Sequence, residues 1–147
     1  FKDGFPTENG KARLVPARFS QADELPDDEF PVVFITSRML EHWHTGAMTS
    51  RAKILDSLEP EAVCELSPLD MERFGLSVNG RVRVVSRRGF IELRLSTSSA
   101  VPSGLVFIPF CYAEAAANLL TNPRLDPYGK IPELKFCSVR IESLDTN

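Results

Sequence analysis

Basic excess, paired cysteines and long apolar runs are all missing from this 147-residue chain, and each absence removes a class of function. Lysine and arginine total 17 against 20 aspartates and glutamates, a formal charge of −3. A nucleic-acid binder carries a basic footprint, so no nucleic-acid partner is expected. The three cysteines, Cys64, Cys111 and Cys137, form no CxxC pair. Structural zinc and a disulfide framework are therefore not expected, which fits a reducing compartment. The longest uninterrupted apolar runs, Val32 to Ile35 and Leu105 to Phe110, fall far short of a membrane span, and no membrane contact is expected. No basic start followed by an apolar stretch marks a signal peptide. The expected compartment is the cytoplasm. A periplasmic one stays open, because the chain starts on Phe1 rather than Met, as a piece cut from a longer protein would.

What is present reads as one domain with a segment in front. Hydrophobic residues make up 43% and charged residues 25%, ordinary globular usage. A chain of this size buries about 70% of its unfolded surface and needs no staple. Residues 1–29 hold Gly4, Pro6, Gly10, Pro16, Pro26 and the acidic stretch Asp23 to Glu29. They read as a lead-in extension or solvated linker, and residues 30–147 as the domain.

The pattern within the domain is of short strands. Phe30 to Ile35, Ala62 to Leu66, Arg81 to Val84, Phe90 to Leu95, Leu105 to Ile108 and Leu134 to Ile141 carry strand signals. Ser67-Pro68-Leu69-Asp70 starts a helix that Gly75 ends. Asn79-Gly80, Arg88-Gly89 and Pro102-Ser103-Gly104 are turns, with the arginine pair Arg87-Arg88 expected in solvent. Ala113 to Leu120 reads as a helix. Five or six short strands with two or three short helices argue for a mainly β barrel or sandwich rather than a doubly wound sheet.

The stretch Thr36-Ser37-Arg38-Met39-Leu40-Glu41-His42-Trp43-His44-Thr45-Gly46-Ala47-Met48-Thr49-Ser50-Arg51 stands apart. It leaves an apolar strand, yet it is dense in groups that a plain connector does not need. Arginine and hydroxyls bond phosphate, and aromatic and imidazole planes meet flat rings. A large polar ligand carrying phosphates and a heterocycle would suit them. His42 and His44 face alike on extended backbone, but a metal site needs three or four ligands, so no metal is assigned. Cys111 as a nucleophile partnered by His is a second possibility, against the plainer reading of a small buried hydrophobe. Arg38 is a solvated charge or a ligand contact. Asn118, inside a run of Ala and Leu, makes a structural hydrogen bond or a ligand contact. Spacing does not choose between these.

The same stretch resembles the C-terminal domain of the molybdopterin oxidoreductases. That domain often begins Thr-Gly-Arg and continues like His-Trp-His-Thr-Gly-x-Met-Thr; here Ser37 replaces the Gly. The likeness runs on through Ser67 to Asp70, Val84 to Gly89, Gly104 to Phe110, Ala113 to Asn122 and Lys130 to Lys135. It covers about residues 30 to 142, and Asp3 to Thr7 and Gly10 to Arg13 look like the family's lead-in. Formate dehydrogenases and soluble nitrate reductases share the His42 to Gly46 loop. Ala113 to Asn122 with Lys130 to Glu133 looks more like formate dehydrogenase, although these enzymes often have His where Cys111 stands.

The resemblance implies a six-stranded double-psi β-barrel covering molybdopterin guanine dinucleotide, two copies of which carry molybdenum or tungsten. It implies cofactor contacts from Thr36, Ser37, Arg38, Met39, Leu40, His42, Trp43, His44, Thr45, Met48, Thr49, Asn118 and Lys135. Phe110 would lie near the substrate channel. No catalytic residue is expected in this segment. The metal-bound Cys or selenocysteine, an iron–sulfur cluster and the oxidation of formate would belong to upstream domains of the same subunit. Those domains and further electron-transfer subunits are the implied partners.

Overall fold

The computed structural model describes residues 2–145. Six strands, β1 Val32–Ser37, β2 Val63–Leu66, β3 Arg81–Ser86, β4 Phe90–Thr97, β5 Leu105–Pro109 and β6 Cys137–Ser143, close into a barrel in the order β1-β5-β2-β4-β3-β6. Two helices, α1 Lys53–Leu58 and α2 Pro68–Arg73, and two short 3₁₀ turns complete it. The mainly β architecture with six strands is the one expected. Its two parallel pairs, β1 with β5 and β2 with β4, are reached by crossing connections, as a double-psi barrel requires.

Alternation along each strand builds the core. Val32, Phe34 and Thr36 of β1, Val82 and Val84 of β3, and Ile91, Leu93 and Leu95 of β4 are buried, with their neighbours turned outward. Side chains on a strand point alternately to the two faces, so each strand gives one face to the interior. Closing the sheet leaves no unpaired edge.

Turn chemistry places the ends. Ser67 caps α2 by accepting the Asp70 amide at 3.1 Å, with Pro68 in the first turn. The Asp70 carboxylate is fully buried and receives the Ser67 hydroxyl at 2.7 Å, the Ser103 hydroxyl at 3.0 Å and the Gly104 amide at 2.8 Å. Three donors replace the water that this anion loses, and they tie α2 to the start of β5. The β3–β4 hairpin closes around Arg87-Arg88, with the Ser86 amide donating to Gly89 at 2.8 Å.

Three local expectations are corrected. Ala113 to Leu120 is not a helix; only Ala117–Leu119 forms a 3₁₀ turn. Ala115, Ala117 and Leu120 are drawn into the core with Tyr112. A short helix has little stability of its own to oppose that docking. β6 starts at Cys137 rather than Leu134, because Asn122 takes the Phe136 carbonyl at 3.2 Å and pins the chain before the strand. Arg88 is not solvated. It donates to the Leu120 carbonyl from Nε at 3.1 Å and from Nη2 at 2.6 Å, and pairs with Glu24.

That ion pair brings part of the front segment onto the barrel. Residues 2–21 are exposed. Behind them Glu24 receives the Ser138 amide at 2.7 Å, Asp27 pairs with Arg87 and accepts the Phe30 amide at 2.8 Å, and Arg87 and Arg140 lie over the Phe30 ring.

Candidate functional site: the loops beyond the first and fifth strands

Because β1 and β5 run parallel, with Ser37 paired to Pro109, the chain leaves both at the same end of the barrel. One exit is the loop from Arg38; the other runs from Phe110 to Asn118. Their first residues touch: the Phe110 amide donates to the Ser37 carbonyl at 3.3 Å. The Lys135 ammonium donates to the carbonyl of neighbouring Thr36. A groove of about 170 Å³ is lined by Thr45, Phe110, Cys111, Tyr112 and Asn118 among others. A second, of about 410 Å³, has Thr45, Gly46, Ser50, Arg51, Cys111 and Tyr112 in its wall. Thr45, far in sequence from Phe110 and Asn118, therefore shares one groove with them. Lys135 joins the same end through Thr36, two residues before Arg38.

The loop presents most of its side chains outward. Arg38, Leu40, Trp43, His44, Thr45 and Met48 are exposed, Leu40 by 95% and Trp43 by 61%. Large apolar groups held this far into solvent mark a contact surface. The side chains of Arg38, Thr45 and Asn118 have no hydrogen-bond or ion-pair partner among the described residues, so their polar groups are available. His44 sits at φ 50° with its ring edge-on to Trp43 at 4.5 Å.

Other expected site residues point inward. The Thr36 side chain faces the core with Val32 and Phe34, and its hydroxyl finds no partner among the described residues. His42 is 1% exposed, and both its ring nitrogens are used. Nε2 lies 2.8 Å from the Glu59 carbonyl, so it carries the proton and donates. Nδ1 lies 3.3 Å from the Thr49 hydroxyl, which also accepts the Trp43 amide at 3.0 Å. Met39 is half-buried, with its sulfur 3.2 Å from the Tyr112 hydroxyl and 3.4 Å from Cys111 Sγ. Ser37 is also half-buried.

No His–Cys pair forms among the described residues. Cys111 faces Met39, and burial pushes its thiol above the ordinary value, which leaves it a poor nucleophile. Among the described residues no three His, Cys, Asp or Glu side chains converge on a metal position.

Four further residues hold the site, and of these only Tyr112, at the rim after an apolar strand, gave even a weak signal in the sequence. Tyr112 donates to the Glu59 carbonyl at 2.9 Å and packs edge-on to His42 at 5.4 Å. Burial drives its phenol well above the usual range, with nearby Cys111 and Glu59 adding to this. Glu59 acts through its backbone oxygen, which no side-chain pattern reveals. Asn122 holds Glu133 at 2.6 Å and Phe136 at 3.2 Å, next to Lys135. Arg88 holds Leu120, two residues after Asn118.

The barrel end beyond β1 and β5 thus brings two loops to one groove. Residues 32–138 match the family described as the molydopterin dinucleotide binding domain, and the chain belongs to that family. It is similar to the F420-dependent formate dehydrogenase subunit alpha of Methanocaldococcus jannaschii, 40% identical over 143 residues, 97% of this chain and 21% of that protein. It is similar also to the F420-dependent formate dehydrogenase 1 subunit alpha of Methanococcus maripaludis, 37% identical over 138 residues, 94% of this chain and 20% of that protein. Among solved structures, acetylene hydratase from Pelobacter acetylenicus shares the fold, with a TM-score of 0.72 at 18% identity over 83% of this chain and 20% of that one. The chain thus spans about a fifth of the length of these relatives.

Proposed function

We propose that this chain is the cofactor-holding domain of a formate dehydrogenase catalytic subunit, and that the end of the barrel beyond β1 and β5 holds molybdopterin guanine dinucleotide. The observation that carries this reading is the shared groove of Thr45, Phe110 and Asn118, whose Thr45 and Asn118 side chains have no partner among the described residues. The residues fit the group. Arg38, without a partner among the described residues, offers a cation for phosphate, Ser37 and Thr45 offer hydroxyls, and Lys135 has two further N–H donors once Thr36 holds it. The Asn118 amide both donates and accepts, as a pterin edge requires. Trp43 and His44 offer planes, and Leu40 and Met48 cover apolar surface. His42, Thr49 and Met39 serve by shaping the loop.

When bound, the dinucleotide carries the metal, molybdenum or tungsten, at which formate is oxidised to carbon dioxide. The chain's own part is to bind and orient. Phe110, on the groove wall, faces the approach of substrate. The reacting groups, the iron–sulfur cluster and the electron-transfer partners belong to the rest of the subunit and its assembly, in the cytoplasm.

The test is Arg38→Ala and Asn118→Ala in the whole subunit. Guanine nucleotide released by acid reports cofactor content. Losing one charge-assisted bond to phosphate removes about 2 kcal/mol, so Arg38→Ala holds its cofactor roughly 30-fold more weakly and is purified with less of it while the barrel stays folded. Both variants retaining a full complement would defeat the proposal.

A further inference from the structure

The loop after β1 is held by a buried polar knot. The Glu59 carbonyl, in the segment between α1 and β2, accepts two donors: His42 Nε2 at 2.8 Å and the Tyr112 hydroxyl at 2.9 Å. His42 comes from the loop after β1, and Tyr112 from the loop after β5. Both are buried, at 1% and 7% exposure, and their rings meet edge-on at 5.4 Å. The other ring nitrogen, Nδ1, lies 3.3 Å from the Thr49 hydroxyl. That hydroxyl oxygen in turn accepts the Trp43 amide at 3.0 Å. The Trp43 amide, the His42 ring and the Tyr112 hydroxyl are thereby all matched within one relay, and a matched network stiffens the loops it joins. The two loops also press together directly: a Cβ at Gly46 would lie 2.9 Å from the Cys111 carbonyl oxygen.

We propose that His42 and Tyr112 are positioning residues. By sharing the Glu59 carbonyl they lock the loop carrying Trp43, His44 and Thr45 against the loop carrying Phe110 and Asn118, and so set the width of the groove between them. The clamp follows from the contacts alone. Its purpose, holding the groove open to one dinucleotide, rests on the function proposed above. His42 then acts through the loop and does not touch the ligand, although it lies in the segment that carries the family resemblance.

The experiment uses the intact subunit with Tyr112→Phe, His42→Leu and His42→Gln. Amide hydrogen exchange is followed in peptides covering 41–51, 110–120 and the strands, and guanine nucleotide content is measured in parallel. Tyr112→Phe deletes one hydroxyl and keeps the ring, so the barrel survives even if His42→Leu fails to fold. Losing one bond to a buried carbonyl speeds local opening roughly fivefold. The expected result is that acceleration at the Trp43, Gly46 and Ser50 amides with β3, β4 and β6 unchanged. His42→Gln, whose amide can still donate to Glu59, restores most of the protection that His42→Leu removes. Unchanged exchange in 41–51 for Tyr112→Phe overturns the clamp, whatever the cofactor content. Equal acceleration for His42→Gln and His42→Leu also overturns it, since bulk alone would then matter. Acceleration with full guanine nucleotide content leaves the clamp standing and overturns its role in holding the groove for the dinucleotide, while the site itself is tested separately by Arg38→Ala and Asn118→Ala.

Discussion

Replacing Arg88 by Ala tests whether the acidic stretch in front of the barrel braces the functional end. Arg88 grips two partners at once. Its guanidinium pairs with both oxygens of Glu24 and donates to Leu120 O at 3.1 and 2.6 Å. Its side chain is 23% exposed and that of Glu24 15%, so water screens the pair only in part. A charge-assisted bond contributes about 1.5–3 kcal/mol where it is desolvated, while an exposed pair contributes about 0–1 kcal/mol. The variant leaves Glu24 with the Ser138 amide at 2.7 Å and the Arg87 guanidinium at 3.6 Å, and strips the Leu120 carbonyl of its guanidinium donors. Discounting for partial exposure, the expected loss is about 2 kcal/mol, a roughly 30-fold shift in the folded-to-unfolded ratio. Urea unfolding reads this as a midpoint about 1 M lower. The control is Arg83→Ala. Arg83 pairs with Glu92 at 2.6 Å and lies over the Phe90 ring, but both side chains of the pair are 37% exposed, so its loss should stay near or below about 1 kcal/mol. If the two variants cost the same, burial does not set the strength of these pairs and the brace argument fails. A double cycle with Glu24→Gln should give a coupling above about 1 kcal/mol.

Two further outcomes are expected. Gly46→Ala meets both a left-handed backbone, φ 74°, and contacts of 2.8 Å to Ser50 Oγ and 2.9 Å to the Cys111 carbonyl, whereas Gly104→Ala meets φ 82° with open space around it. The backbone alone costs about 1–2 kcal/mol, so equal losses in urea unfolding for the two variants would refute the close approach at Gly46. Acid should destabilise the chain. Burial works to raise the Glu24 carboxyl, but Arg88 and the Ser138 amide outweigh it and hold the group below its ordinary 4.5. Backbone donors do the same for Asp27 through Phe30 and for Asp126 through Ile131 and Gly129. Groups lowered by folding stabilise above their unfolded values and lose that contribution as pH falls through the folded ones. Glu65, raised by burial and by Glu59, works the other way. Urea midpoints should therefore hold down to about pH 5 and fall below it; a rise on acidification would refute the assignment.

Much of the barrel could be read along the chain because alternation is local. The burial of Ile91, Leu93 and Leu95 and the Ser67 cap follow from neighbours within a few residues. The loop from Thr36 was conspicuous for its residue types alone, and the family resemblance singled out Asn118 and Lys135. Direction within the site was not legible. His42 and His44 differ by two positions, yet one is locked inside and the other exposed, because Glu59 and Tyr112, 17 and 70 residues further along, wait for the first. Ala113 to Leu120 had helical composition, but the core claimed Ala115, Ala117 and Leu120. Arg88 was expected in solvent because its partner Glu24 lies 64 residues away in a segment that composition marks as linker.

The amino-acid order by itself determined the strands, the caps and turns, and the polar character of the loop after β1, since each depends on side-chain period or on backbone preferences of adjacent residues. Only the closed barrel decided which of those polar groups face outward. The parallel pairing of β1 with β5 put two remote loops at one end, and the matching of donors to buried acceptors across that junction turned His42 and Tyr112 into supports while leaving Arg38 and Asn118 exposed and without a side-chain partner among the described residues.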